Sequence, residues 1–203
     1  MFERFLAAFA VSDGPSVAPR VPVTSVELWL DAAGGRAFEG GLYRVHTRPS
    51  ARASDALVRE AFPEFAGRLS CFGYDWLGRQ FATDSGRGKD GDPEVMLFEP
   101  GSGEALEIPV PFSRFHDEEL IDYTEEALAR SFFDEWRRSG GQAPKIAECV
   151  GYQRPLFLGG DDAVANLEIS DLDVYWTIMG QFRRQAKGLP KGTPITAVVR
   201  DQS

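Results

Sequence analysis

The apolar positions along the chain change their spacing three times. VELWLDAA, behind Thr24 or Ser25 as cap and before Gly34-Gly35, fits a short helix. LYRVH fits a strand, and SDALVREAF a second helix from Ser54 to just before Pro63. The opening MFERFLAAFAVSDGPS predicts an amphipathic helix ended by Asp13-Gly14-Pro15, with SVAPRVP a Pro-rich loop after it. From Arg68 to Pro111 the pattern is that of strands: RLSCFGYDW, GRQFATD, PEVMLFEP and EALEIPV. GRGKDGDP and PGSGE punctuate them as hairpin loops, which predicts an antiparallel meander. Gln80 and Ala82 alternate with Phe81 and Thr83, as in a strand covered on one face.

Helical spacing returns over Asp117 to Arg138. Ile121, Leu128, Phe132 and Trp136 fall on one face, with Leu120, Ala127 and Phe133 beside it. Acidic residues crowd its first half and Arg130, Arg137 and Arg138 its second, the arrangement favoured by the helix dipole. After an apolar PLFLGG, NLEIS fits a strand. Asp171 to Lys187 fits a second amphipathic helix whose stripe is Leu172, Tyr175, Trp176, Met179 and Phe182, closed by Gly188 and Pro190. PITAVV predicts a last strand. This order gives an α+β fold, an antiparallel meander with flanking helices. Residues 1–112 make an N-terminal part and 113–203 a C-terminal part, or the two form one unit.

The 203 residues, 43% hydrophobic and 26% charged, can bury a real core. No apolar run approaches the ~20 residues a membrane span needs, and no basic n-region marks a signal peptide, so the expected location is cytoplasmic. A net charge of −9 disfavours direct nucleic-acid binding and suits a basic partner. The pattern carries no signal of oligomeric state.

Chemical motifs are scarce. His46 and His116 are the two histidines, in unrelated settings, too few for a His-based zinc site. His46 reads as a strand end and His116 as part of a helix start. Cys71 and Cys149 stand alone in apolar contexts and read as buried thiols. There is no nucleophile elbow and no phosphate loop, and no cofactor is implied. Asp75 and Glu99 could meet across the meander as paired carboxylates. GGDDAVANLEISDLDVYW concentrates Asp161, Asp162, Glu168, Asp171 and Asp173. A metal-dependent hydrolase or nucleotide-processing enzyme using Asp161 and Asp162 is one reading of it. The other is a turn, a strand and an acidic helix start.

Some stretches resemble known proteins. CFGYDWLGRQFATD and VMLFEPGSGEALEIPVPFSRFHDEEL resemble SUKH/GAD-like bacterial immunity proteins, and VELWLDAAGGRAFEGGLYRVH is similar to their GAD-like N-terminal part. ECVGYQRPLFLGGDDAVANLEISDLDVYWTIMGQ with LPKGTPI looks like the C-terminal domain of type VI secretion immunity proteins that protect against a DNase effector. The resemblance implies a non-catalytic α+β protein that binds and neutralises a cognate toxin, a nuclease. A regulatory scaffold for a non-toxin protein is a further reading. A basic DNA-binding surface would be met by acidic residues, and the polar helix face offers Glu118, Glu119, Asp122, Glu125 and Glu126. The loop with Asp90 and Asp92 is a second candidate.

Overall fold

A computed structural model describes residues 2–14 and 25–187. The Pro-rich loop, Thr24, the closing Gly188 and Pro190 and the PITAVV strand lie outside the described residues. Seven strands form one antiparallel sheet in sequential order: β1 (Val11–Asp13), β2 (Ala37–Phe38), β3 (Tyr43–Val45), β4 (Leu69–Asp75), β5 (Gln80–Lys89), β6 (Asp92–Glu99) and β7 (Glu104–Pro111). β8 (Glu148–Tyr152) and β9 (Leu167–Asp171) form a separate antiparallel pair. With the helices that flank the sheet, the fold is α+β.

The expectation of a sheet covered on one face is corrected. Gln80, Phe81, Ala82, Thr83 and Asp84 are all buried. Phe72, Phe81, Val95 and Leu97 join one apolar cluster, while Cys71, Ala82, Met96 and Phe98 join another. Successive strand residues point to opposite faces, so the meander feeds two cores. α1 (Glu3–Ala8), α2 (Val26–Ala33) and the helical segments after β7 cover the first. α3 (Arg48–Ala61) and α8 (Leu172–Ala186) supply most of the cover on the second, through Val58, Ala61, Leu172, Tyr175, Trp176 and Met179. A strand buried on both sides keeps little alternation.

Boundaries differ from the sequence reading in several places, and β5 and β6 take up most of GRGKDGDP, leaving Asp90-Gly91 as the turn. α1 ends at Ala8, because Val11–Asp13 pairs with β2. α3 begins after Thr47 rather than at Ser54: Thr47 and Ser50 form a reciprocal capping box with a proline in the first turn. Ser25 caps α2 as expected.

A further difference is larger. The predicted Asp117–Arg138 helix is a chain of short pieces: α4 (Phe112–Arg114), a π-helical turn (Phe115–Glu119), α5 (Leu120–Asp122), α6 (Thr124–Leu128) and α7 (Arg130–Arg138). Ala129 sits between the last two in a left-handed conformation with φ 50° and ψ 50°. The break is held from outside the helix. Arg79 Nη2 donates to Ala127 O at 3.0 Å, and Trp76 Nε1 donates to Leu128 O at 3.0 Å. These carbonyls, orphaned at a helix end, find donors on the turn between β4 and β5.

That turn, Asp75–Arg79, is where the sheet meets the C-terminal elements. Val150 N donates to Trp76 O at 2.7 Å, and Trp176 Nε1 donates to Gly78 O at 2.7 Å. Gly78 has φ +76°, and a Cβ there would lie 3.0 Å from the Cys149 side chain, so both conformation and space call for glycine.

Candidate functional site

The acidic helix face is not one uniform patch. Glu118 is held by Arg114, whose Nε donates to it at 2.8 Å and whose proximity keeps its carboxyl below the usual range. Asp122 pairs with Arg4 of α1 at 3.3 Å. Glu125 accepts hydrogen bonds from Ser131 N and Oγ, both at 2.9 Å, across the Ala129 break. Glu119 and Glu126 form no ion pair among the described residues. Partial burial, then the charges of Glu126 and Asp122, raise Glu119 above an ordinary glutamate.

The Asp90 and Asp92 loop lies elsewhere. Asp90 takes the left-handed position of the β5–β6 turn, with φ 54°. Asp92 accepts from Ser113 N at 3.1 Å and Ser113 Oγ at 2.5 Å, which fixes the start of α4.

The GGDD turn divides its two aspartates. The Asp161 carbonyl accepts from Asn166 Nδ2 at 2.9 Å, while the Asp162 carboxylate accepts from Tyr152 Oη at 2.6 Å. Among the described residues, no three His, Cys, Asp or Glu side chains converge as ion ligands. Asp171 caps α8 by accepting from Asp173 N and Val174 N, each at 3.0 Å.

Asp75 and Glu99 both act on Arg79, and the charge of Glu99 is felt at Asp75. Asp75 is fully buried and accepts from Arg79 Nε at 2.6 Å, Arg79 N at 2.9 Å and Leu77 N at 3.1 Å. Burial raises its carboxyl to about 6, against the pull of Arg79. Burial also raises Glu99, again opposed by Arg79.

Both histidines are buried. His46 Nε2 donates to Gln80 Oε1 at 2.7 Å, and His116 Nε2 shares a 2.9 Å bond with Tyr43 Oη inside a cage of aromatic rings. Both thiols are free and buried, and burial raises each.

A cavity of about 530 Å³ opens between the β4–β5 turn, the β6–β7 turn, α6, α7 and the loop after β8. Glu99, Glu104, Glu125, Glu135 and Asp162 line it together with Arg79. The sequence reading had singled out Glu99, Glu125 and Asp162, each for a different reason. It missed Glu104 and Glu135, and missed that all five share one space. They come from three parts of the chain: Glu99 and Glu104 face each other across the β6–β7 turn, Glu125 and Glu135 lie on either side of Ala129, and Asp162 follows β8. Local spacing could pair some of them but not gather all five.

These features define an α+β protein with acidic groups on its helical layer and around one cavity beside it. No described helix is long and apolar enough to cross a membrane. Residues 111–183, from the end of β7 into α8, match the family model of the type VI secretion immunity protein Tdi1, C-terminal. That match supports a type VI secretion immunity protein. The crystal structure of Atu4351 from Agrobacterium tumefaciens has the same fold, with a TM-score of 0.60 at 17% sequence identity over 89% of each chain. No curated protein matches the chain.

Proposed function

We propose that this chain is an immunity protein that binds and neutralises a cognate type VI secretion toxin, a nuclease with a basic surface, and that it performs no catalysis itself. The family match over residues 111–183 carries the reading. The net charge of −9 fits a partner whose own substrate is polyanionic. The resemblance of residues upstream of the match to GAD-like immunity proteins points the same way.

The contact surface we infer is the acidic helical layer. Glu118 and Asp122 already have cationic partners within the chain, which leaves Glu119 and Glu126 to meet outside charge. Asp90 and Asp92 make a weaker second contact, since Asp92 is engaged by Ser113.

Co-expression with a candidate toxin gene, sought beside this one, is the direct test. The chain should rescue growth, and cells that die despite a folded, abundant protein would sink the immunity reading. Reversing Glu119 and Glu126 to arginine should slow association and flatten its salt dependence, as charged groups at an interface rim do. Unaltered kinetics between low and high salt would move the contact surface elsewhere.

A further inference from the structure

We propose, building on the immunity reading, that the outer edge of β9 receives one extended segment of the toxin, which joins the β8–β9 pair as a third strand. The ladder itself exposes this edge. In an antiparallel pair the bonds fall on alternate residues. Gln153 N donates to Asn166 O at 2.8 Å and Leu172 N to Ala147 O at 2.9 Å, which makes Gly151–Glu168 and Cys149–Ser170 the bonded pairs between them. Val150–Ile169 is then a non-bonded pair, and its main-chain groups turn outward on both strands. On β8 the outward groups are taken up: Val150 N donates to Trp76 O at 2.7 Å, and Tyr152 N to Tyr175 Oη at 3.2 Å. On β9 they are not. Ile169 N–H and C=O and Asp171 N–H have no partner among the described residues, and both residues are exposed, Ile169 by 39%.

The other edges are protected. β1 is three residues long, and its register shifts between Val11 and Asp13. β7 contains Pro109, which has no N–H to offer, and ends on Pro111. Short strands, bulges and prolines are the usual means of keeping an edge from pairing. LEISD has no proline, no lysine and no register shift. A two-stranded ribbon also gains stability from a third strand.

The side chains select the occupant. Ile169 and Glu168 point to opposite faces of the ribbon. Glu168 is exposed and forms no ion pair among the described residues, and β9 carries no cation. The matching segment places an apolar side chain beside Ile169 and a lysine or arginine beside Glu168. A second copy of this chain is a poorer occupant, because antiparallel pairing about Ile169 sets the two Glu168 side chains diagonally on one face. A strand from a basic toxin brings the opposite charge, with main-chain bonds supplying affinity.

The test takes the toxin that co-expression identifies, with the full chain as wild type and as Ile169→Pro. Proline removes the outward N–H and sets its ring on the edge, while the β8–β9 ladder bonds run through Glu168 and Ser170. With folding checked by circular dichroism, calorimetry should show the variant binding at least about 10-fold more weakly. Hydrogen exchange on the wild type needs no variant: the Ile169 amide should exchange at least ~10-fold more slowly in the complex than in the free chain. A folded Ile169→Pro that binds as tightly as wild type, or an Ile169 amide unprotected in the complex, overturns the proposal while the immunity reading stands. If Ile169 protection and a doubled mass by light scattering grow with the concentration of the chain alone, a second copy holds the edge and the toxin strand is overturned. If no toxin is neutralised on co-expression, the immunity reading fails and this occupant with it.

Discussion

Asp75 and Arg79 show how far single residues govern this structure. The pair is buried, and Arg79 also caps α6 while lining the acidic cavity. Arg79→Met would leave Asp75 as an uncompensated buried charge and Ala127 O without its donor. Urea unfolding should show a loss of about 3–5 kcal/mol, most of it recovered in Asp75→Leu/Arg79→Met, because an apolar pair leaves no stranded charge. A double variant as unstable as the single one would contradict this account. The histidines set a pH dependence. Burial lowers His46 to about 4 and places His116 well below its ordinary value. The unfolded chain, with histidines near 6.5, takes up protons that the fold refuses. Their contribution is therefore fully present above pH ~6.5 and lost as pH falls toward 4, by on the order of 1 kcal/mol per pH unit for each. Asp75 works in the opposite sense, since its carboxyl, raised to about 6, binds a proton in the fold first. The raised carboxyls of Asp55, Glu99 and Glu119 act in the same sense as Asp75. The histidines of the unfolded chain, however, protonate across the whole interval, so guanidinium melts should show lower stability at pH 5 than at pH 7. The difference should shrink in His46→Asn. Equal midpoints at the two pH values in the wild type would count against neutral buried histidines.

Among the elements, the interrupted helical layer departs furthest from the chain's own preferences. Alanine is the best helix former, and nothing around Ala129 marks a stop. A left-handed alanine costs roughly 1–2 kcal/mol, offset here by the donors that Trp76 and Arg79 send to the freed carbonyls. The sign of one substitution separates a break from a continuous helix. In a continuous helix Ala129→Gly would destabilise by about 1 kcal/mol. At a left-handed position it should be neutral or raise the melting temperature by a few degrees, which calorimetry would resolve. The same break gives Glu125 its contact with Ser131 and brings Ala129 into the cavity wall. Thus an element that reads as a plain amphipathic helix supplies the bend on which the acidic cavity depends.

At the scale of the whole molecule, the sheet is a shared wall between two cores, and the β4–β5 turn ties the C-terminal elements to it. Much of this was legible beforehand. Hairpin loops at GRGKDGDP and PGSGE and alternating strands fixed the meander, because turn chemistry and side-chain period are local properties. The Leu172–Tyr175–Trp176–Met179 stripe announced α8 for the same reason, and its acidic start is the cap that Asp171 provides. The acidic balance and the resemblance to immunity proteins were likewise written in the residues themselves. What the sequence could not determine are features that need distant segments to meet. The second covered face of the sheet depends on where α3 and α8 dock. The helix break depends on donors some 50 residues away. The cavity depends on carboxylates that three separate parts of the chain bring to one place. Local chemistry chose the elements; only long-range burial and hydrogen bonding decided which acids gained a cationic partner within the chain, as Asp122 does with Arg4.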